Sequence, residues 1–319
     1  MTYPRSQLVP PGSPGTYHCV SRCVRRAFLC GKDRYSGQSF EHRRQWIEDR
    51  MHQLADVFAA SLWAYAVMSN HLHVVVQVLP DVAAQWTDEE VTDRWIRLFP
   101  KAEQDAALRA QTLIANPERL ALLRSRLCDL SWFMRCLSEP IARRANAEDH
   151  CKGRFWEGRF KCQALLDESA VLAAMAYVDL NPVRAALCET LEESAHTSAR
   201  RRLAQIDTNT HTGEVIAPIA GVGRQCVVGI TAIDYLQLLD WTGRQVYPNK
   251  RGKLSGPPPR ALQRLGHDAA LWPRQVLAVG SEFHRAVGTA ESLIAKASAM
   301  GQRWLHGIGV ARRLLQANH

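Results

Sequence analysis

Trp63-Ala64-Tyr65-Ala66-Val67-Met68-Ser69-Asn70-His71-Leu72-His73-Val74-Val75-Val76-Gln77-Val78 reads as two strands about a bend. β-Branched and aromatic residues fill both arms and Ser69-Asn70 is a turn-compatible pair, so residues 62–68 and 71–78 are expected to form a tight antiparallel hairpin. Strand side chains alternate between faces, which sends Leu72, Val74, Val76 and Val78 to a core and leaves His71, His73, Val75 and Gln77 on the other face. Two imidazoles thus stand side by side just past the bend. Neutral imidazoles hold divalent metals, although a His-x-His step taken alone serves ordinary hydrogen bonding as readily.

Outward from the hairpin, residues 16–24 alternate as a first strand, and residues 39–60 form an amphipathic helix with Ile47, Met51, Leu54 and Phe58 at helical spacing. Residues 80–129 turn helical, with Thr87 and Glu90 as a capping box and Asn116-Pro117 opening a further helix. The helix over 130–147 contains Pro140, expected to kink it or mark a first turn. Strand character returns over 153–166, and Asp167 or Ser169 caps a helix that ends near Asn181-Pro182. The order strand, helix, hairpin, helices, strand, helix predicts an α+β fold with an antiparallel sheet. Residues 1–15 read as a flexible lead and 16–195 as one domain with a helical insertion at about 80–129. Residues 196–223 read as a linker and 224–319 as a mostly helical C-terminal extension, where a helix over 234–241 is terminated by Gly243.

The 319 residues are 46% hydrophobic and 22% charged, enough to bury a sizeable core. Lys and Arg outnumber Asp and Glu by 40 to 31, and the resulting +9 charge and pI near 9.3 favour a polyanionic partner. No apolar run approaches the roughly 20 residues of a membrane span, and no signal peptide is evident, so a cytoplasmic protein is expected. The nine cysteines are odd in number and scattered, as reduced thiols would be. Cys19, Cys23 and Cys30 near His18 lack the paired Cys-x-x-Cys spacing of a structural zinc site.

Tyr177 and Asn181 lie four residues apart in Ala173-Ala174-Met175-Ala176-Tyr177-Val178-Asp179-Leu180-Asn181-Pro182, so persistent helical geometry puts them on one face. On this segment alone a core tyrosine followed by a capping asparagine is the simpler reading. Beside the histidines, a second reading opens: a tyrosine that attacks a phosphodiester forms a covalent phosphotyrosine and conserves the energy of the broken bond. With a reference pKa of about 10, a tyrosine is ionised only to about one part in a thousand at neutral pH, a deficit of roughly 4 kcal/mol. A metal that polarises the scissile phosphate supplies help of that kind.

Tyr17-His18-Cys19-Val20-Ser21-Arg22, Tyr65 to His73, Gly158-Arg159-Phe160-Lys161 and Tyr177 to Ala185 together resemble the single-tyrosine HUH transposases, closest to the REP-associated branch. The resemblance spans most of residues 16–190, in the expected order. It implies a ferredoxin-like antiparallel sheet flanked by helices, and cleavage and transfer of single-stranded DNA near hairpins through a 5′-phosphotyrosine. His71 and His73 match the metal-binding pair, Tyr177 the nucleophile, and Asn181 the polar residue that completes the shell of a divalent ion, Mg²⁺ or Mn²⁺. The insertion at 80–129 and the extension after residue 195 depart from the minimal domain, and the resemblance allows a homodimer.

Lys152-Gly153-Arg154-Phe155-Trp156-Glu157-Gly158-Arg159-Phe160-Lys161 interleaves cations with aromatics, a pattern suited to phosphate contact and base stacking, with Arg154, Trp156, Arg159 and Lys161 as the DNA contacts. Arg25-Arg26, Arg43-Arg44, Arg143-Arg144, Arg200-Arg201-Arg202, Lys250-Arg251 with Lys253, and Arg312-Arg313 scatter more charge, each pair more often solvated than bound. Two other functions fit the same residues: a non-catalytic nucleic-acid-binding protein that keeps the fold, and a replication-initiator-type nickase with the same chemistry.

Overall fold

A computed structural model describes residues 5–24, 29–33, 37–101, 105–208, 214–223, 228–246 and 256–314. The N-terminal part runs α1 (Arg5–Leu8), β1 (Gly15–Arg22), α2 (His42–Val57), β2 (Ala60–Val67) and β3 (His71–Val78). The insertion follows as α3 (Pro80–Gln85), α4 (Asp88–Leu98), α5 (Ala106–Ile114) and α6 (Pro117–Arg126), leading into α7 (Leu130–Glu148). Next come β4 (Lys161–Leu165), α8 (Glu168–Asp179), α9 (Asn181–Arg184), α10 (Ser198–Thr208) and β5 (Ala220–Gly221). The remainder is α11 (Ala232–Val246), α12 (Arg260–Arg264), α13 (Trp272–Ser281), β6 (Ala286–Val287), α14 (Ala290–Ala299) and α15 (Ile308–Leu314).

The strands form one sheet in the order β5-β2-β3-β1-β4-β6. The pairs β2/β3, β3/β1 and β1/β4 are antiparallel, and this central order is that of a ferredoxin-like sheet; the short β6 joins β4 in parallel. The fold is α+β, with helices against the sheet on both faces. Val74 is opposite Tyr65, whose hydroxyl reaches Glu48 of α2 at 2.5 Å, so the even residues of β3 face α2. His71 and His73 therefore face α8, on the opposite side. Both sides are closed: every residue of β2 is buried, so the hairpin's second face is an interior rather than an open surface.

Local signals set most helix ends. The Thr87–Glu90 capping box opens α4, Asn116 accepts from the Arg119 N–H at the start of α6, and Asp167 accepts from the Ala170 N–H at the start of α8. Pro140 lies inside α7 without ending it. Its missing N–H leaves the Cys136 carbonyl unclaimed by the helix, and Arg50 Nε donates to that oxygen at 3.0 Å. Leu180 keeps helical angles between α8 and α9, so the chain turns on through Pro182 and holds Asn181 one turn beyond Tyr177.

Several expectations need correction. Residues 153–160 form no strand beyond one bridge, Cys23 to Trp156, because Phe155 turns into the core and the Trp156 indole N–H is held by the Ser138 carbonyl at 2.8 Å. Residues 196–223, expected as a linker, carry α10 and the edge strand β5, whose pairing with β2 needs a left-handed glycine at 221, where a Cβ would come within 2.2 Å of the Ala60 carbonyl oxygen. Gly243 lies within α11 rather than ending it, and a Cβ there would come within 3.2 Å of the Leu180 side chain. Residues 5–8 of the expected flexible lead form α1, and the Arg5 guanidinium stacks on Phe160 at 3.6 Å. Arg25-Arg26, Lys250-Arg251 and Lys253 lie outside the described residues.

Candidate active site

Antiparallel pairing assembles the site from three strands. β1 sets Val20 opposite His73 and His18 opposite Val75, and β4 sets Gln163 opposite His18, so His18, His73 and Gln163 share the face that α8 covers. The contacts form one continuous chain. Gln163 Nε2 donates to the Val279 and Phe283 carbonyls at 2.9 and 2.6 Å, which aims Oε1 at His18. His18 Nδ1 then donates to Gln163 Oε1 at 2.7 Å, leaving Nε2 to accept from His73 Nδ1 at 2.9 Å. His73 Nε2 in turn accepts from the Asn181 amide nitrogen at 3.0 Å. Each donor finds an acceptor only if both imidazoles are neutral, so the amide of Gln163 sets their tautomers.

The electrostatics agree. Burial pushes His18 down to about 4, and burial followed by the Arg22 charge does the same to His71. His73 lies well below the usual imidazole range, through burial first and then repulsion from its two neighbouring histidines, Arg184 and Arg22. A folded pKa depressed below the unfolded value of about 6.5 means that the unfolded chain takes up protons first as pH falls. The stability these histidines contribute is thus complete above about pH 6.5 and is lost as pH drops towards 4. For buried His18 alone the loss is roughly 3 kcal/mol. Thermal denaturation between pH 7 and 4 is expected to show a falling Tm, with a shallower fall in His18→Gln; parallel slopes for the two proteins would refute this assignment.

Tyr177 stands edge-on to both buried histidines, with ring centroids 5.8 Å from His18 and 5.7 Å from His73. The Arg184 guanidinium lies 4.6 Å over its ring. Its hydroxyl is packed beneath α13, where a Cβ on Gly280 would fall within 2.1 Å of the phenolic oxygen. Only 8% of Tyr177 is exposed.

The donor set suits an octahedral ion in one respect. The 3.0 Å between His73 Nε2 and the Asn181 amide is the span of two adjacent ligands bonded at about 2.1 Å, with the amide turned to present Oδ1. His71 has its Nδ1 held by Asn70 Oδ1 at 2.6 Å and its ring 4.8 Å from that of His73, which leaves Nε2 free to act as a further donor atom. Among the described residues no group of three His, Cys, Asp or Glu is arranged to hold a metal.

His71, His73, Tyr177 and Asn181, named from sequence, converge here. Arg154, Arg159 and Lys161 are exposed, and Trp156 is half-buried against Ser138. Sequence reasoning missed His18 and Gln163 as site residues. The period-two pattern of residues 16–24 places His18 with Val20 and Arg22 on one face, yet only the pairing with β3 and β4 shows which residues that face meets.

Fold and site thus define an α+β chain with a ferredoxin-like central sheet and a buried histidine-tyrosine cluster. No family model and no curated protein matches the chain. Among solved structures, a REP-associated tyrosine transposase bound to a REP hairpin aligns over 68% of this chain and 90% of its own, at 12% identity and a TM-score of 0.37. Among the described residues no helix is long and apolar enough to cross a membrane.

Proposed function

We propose that this chain is a divalent-metal-dependent DNA nickase and strand transferase of the transposase type, acting on single-stranded DNA near hairpins through Tyr177. The observation that carries this reading is the meeting of Tyr177 with His73 in one buried cluster, while Asn181, one turn further on, bonds the same imidazole. In the reaction the Tyr177 oxygen forms a bond to phosphorus and the bond to the 3′ oxygen breaks, giving a 5′-phosphotyrosine and a free 3′-hydroxyl. The phenolic proton is lost to solvent and the leaving oxygen regains one there. Arg184 over the ring favours both the phenolate and the incoming phosphate. His71, His73 and Asn181 would hold Mg²⁺ or Mn²⁺, which when bound polarises the scissile phosphate. Arg154, Arg159 and Lys161 offer exposed cations for the strand, with Trp156 beside them.

A second reading, a non-catalytic nucleic-acid-binding protein, is favoured by one observation: the Tyr177 hydroxyl is seated against Gly280 of α13, which crowds the approach of a phosphate to it. The two readings part in one experiment. Hairpin-bearing single-stranded DNA incubated with the protein and Mn²⁺ or Mg²⁺ is expected to yield a protein-DNA adduct that survives denaturation and is lost with EDTA. Strand binding without any adduct, across varied target sequences and both metals, would establish the second reading.

A further inference from the structure

On the α2 side of the sheet, away from Tyr177, helices α4, α5, α6 and α7 line a cleft of about 1380 Å³ that also touches Arg50 of α2. This exceeds the roughly 300–1,000 Å³ of a small-molecule pocket. Seven cations line it against two carboxylates, Asp105 and Glu139. Asp105 is occupied capping α5 at the Ala107 N–H, and Glu139 pairs with Arg135 and Arg143. Arg119 and Arg144 are exposed at the rim, and Arg144 lies 3.6 Å over the Trp46 ring. The floor is apolar and aromatic: Trp95 lies 4.8 Å from Phe99 and 5.9 Å from Trp132, and both Phe99 and Leu108 reach solvent, at 37% and 62% exposure.

We propose that this cleft is a second binding site for single-stranded nucleic acid, separate from the chemistry at Tyr177. A cationic rim follows a phosphate backbone, and an aromatic floor offers faces to unpaired bases. A duplex turns its bases inward and would leave the floor unused. The rim's excess of positive charge selects a polyanion, and the exposed Phe99 selects one with accessible bases. The site lies between the helical insertion and α7, so it gives residues 80–129 a function that the histidine-tyrosine cluster does not require.

The test measures equilibrium binding of a fluorescent, hairpin-free 20-nucleotide strand by anisotropy. It uses the full chain carrying Tyr177→Phe without metal, so the result is independent of whether the nicking reaction occurs. Arg119→Gln/Arg143→Gln/Arg144→Gln is expected to weaken binding at least tenfold and to reduce the slope of log K against log salt by about 2, from roughly 0.7 per lost phosphate contact. Phe99→Ala is expected to cost at least fivefold for the single strand and nothing for a matched duplex. Circular dichroism and Tm of each variant confirm that these surface changes leave the fold intact. Unchanged affinity and salt slope in the triple variant would overturn the proposal. Equal losses on duplex would overturn the single-strand assignment. An acidic peptide that binds the cleft without displacing the strand would reassign it to a protein partner.

Discussion

Tyr177→Phe is expected to abolish covalent DNA capture entirely while leaving the protein folded. The substitution removes one oxygen, and among the described residues that oxygen has no hydrogen-bond partner, whereas the ring keeps its contacts with His18, His73 and Arg184. Stability should therefore change by no more than about 1 kcal/mol, because a lone deleted hydroxyl leaves no partner unsatisfied. Loss of the nucleophile cannot be compensated in the same way, since phenylalanine has no atom to bond to phosphorus. Denaturing electrophoresis with labelled DNA reads the first quantity and thermal denaturation the second. An adduct that persists in this variant would remove Tyr177 from the mechanism.

The largest effect on stability is expected at Asp179, two residues along the same helix. Its carboxylate is fully buried and accepts from the Tyr235 hydroxyl at 2.7 Å, from the Ala199 N–H at 2.9 Å and from the Ser198 hydroxyl. Burial raises its pKa, and those hydrogen bonds, with the charge of buried Arg202, work against the rise. Arg202 itself donates to the Ala217 and Trp63 carbonyls, at 2.8 Å each. Asp179→Ala strands a hydroxyl pair, a backbone donor and a buried guanidinium at once, and the cost is expected to be about 3–5 kcal/mol. Urea denaturation should show the midpoint fall with little change in slope. A shift below about 1 kcal/mol would mean that water reaches the network and that α8 is not pinned by it.

What could be read from sequence was local. The β2–β3 bend, the Thr87–Glu90 box, Asn116-Pro117 and the Asp167 cap each declare themselves within a few residues, and each appears in the structure. The pairing of residues far apart could not be read this way. Nothing near His18 indicates that it will lie against His73, 55 residues on, because β1 must first find β3. The edge strands β5 and β6 are two residues each, too short to carry an alternating pattern, so α10 and β5 were hidden in an apparent linker. Over residues 153–160 the interleaved aromatics imitate a strand, yet Phe155 and Trp156 are anchors that hold an irregular segment in place. Composition suggested a polyanionic partner without indicating where it binds. The rim of the insertion cleft gathers arginines from three separate helices, α5, α6 and α7, which no single window of sequence displays.

The seat of Tyr177 beneath Gly280 bears on the order in which the polypeptide is made. The sheet's central strands and the helix bearing the tyrosine are complete once residue 184 has left the ribosome, whereas Gly280, and the Val279 and Phe283 carbonyls that orient Gln163, come about a hundred residues later. During synthesis the phenol is uncovered and the imidazole tautomers are unassigned until that last third of the chain arrives. A polypeptide interrupted in this interval carries every residue of the cluster but lacks the two carbonyls that orient the Gln163 amide. Premature stop codons between 185 and 278 should therefore yield products that differ from the whole protein in chemistry as well as in length.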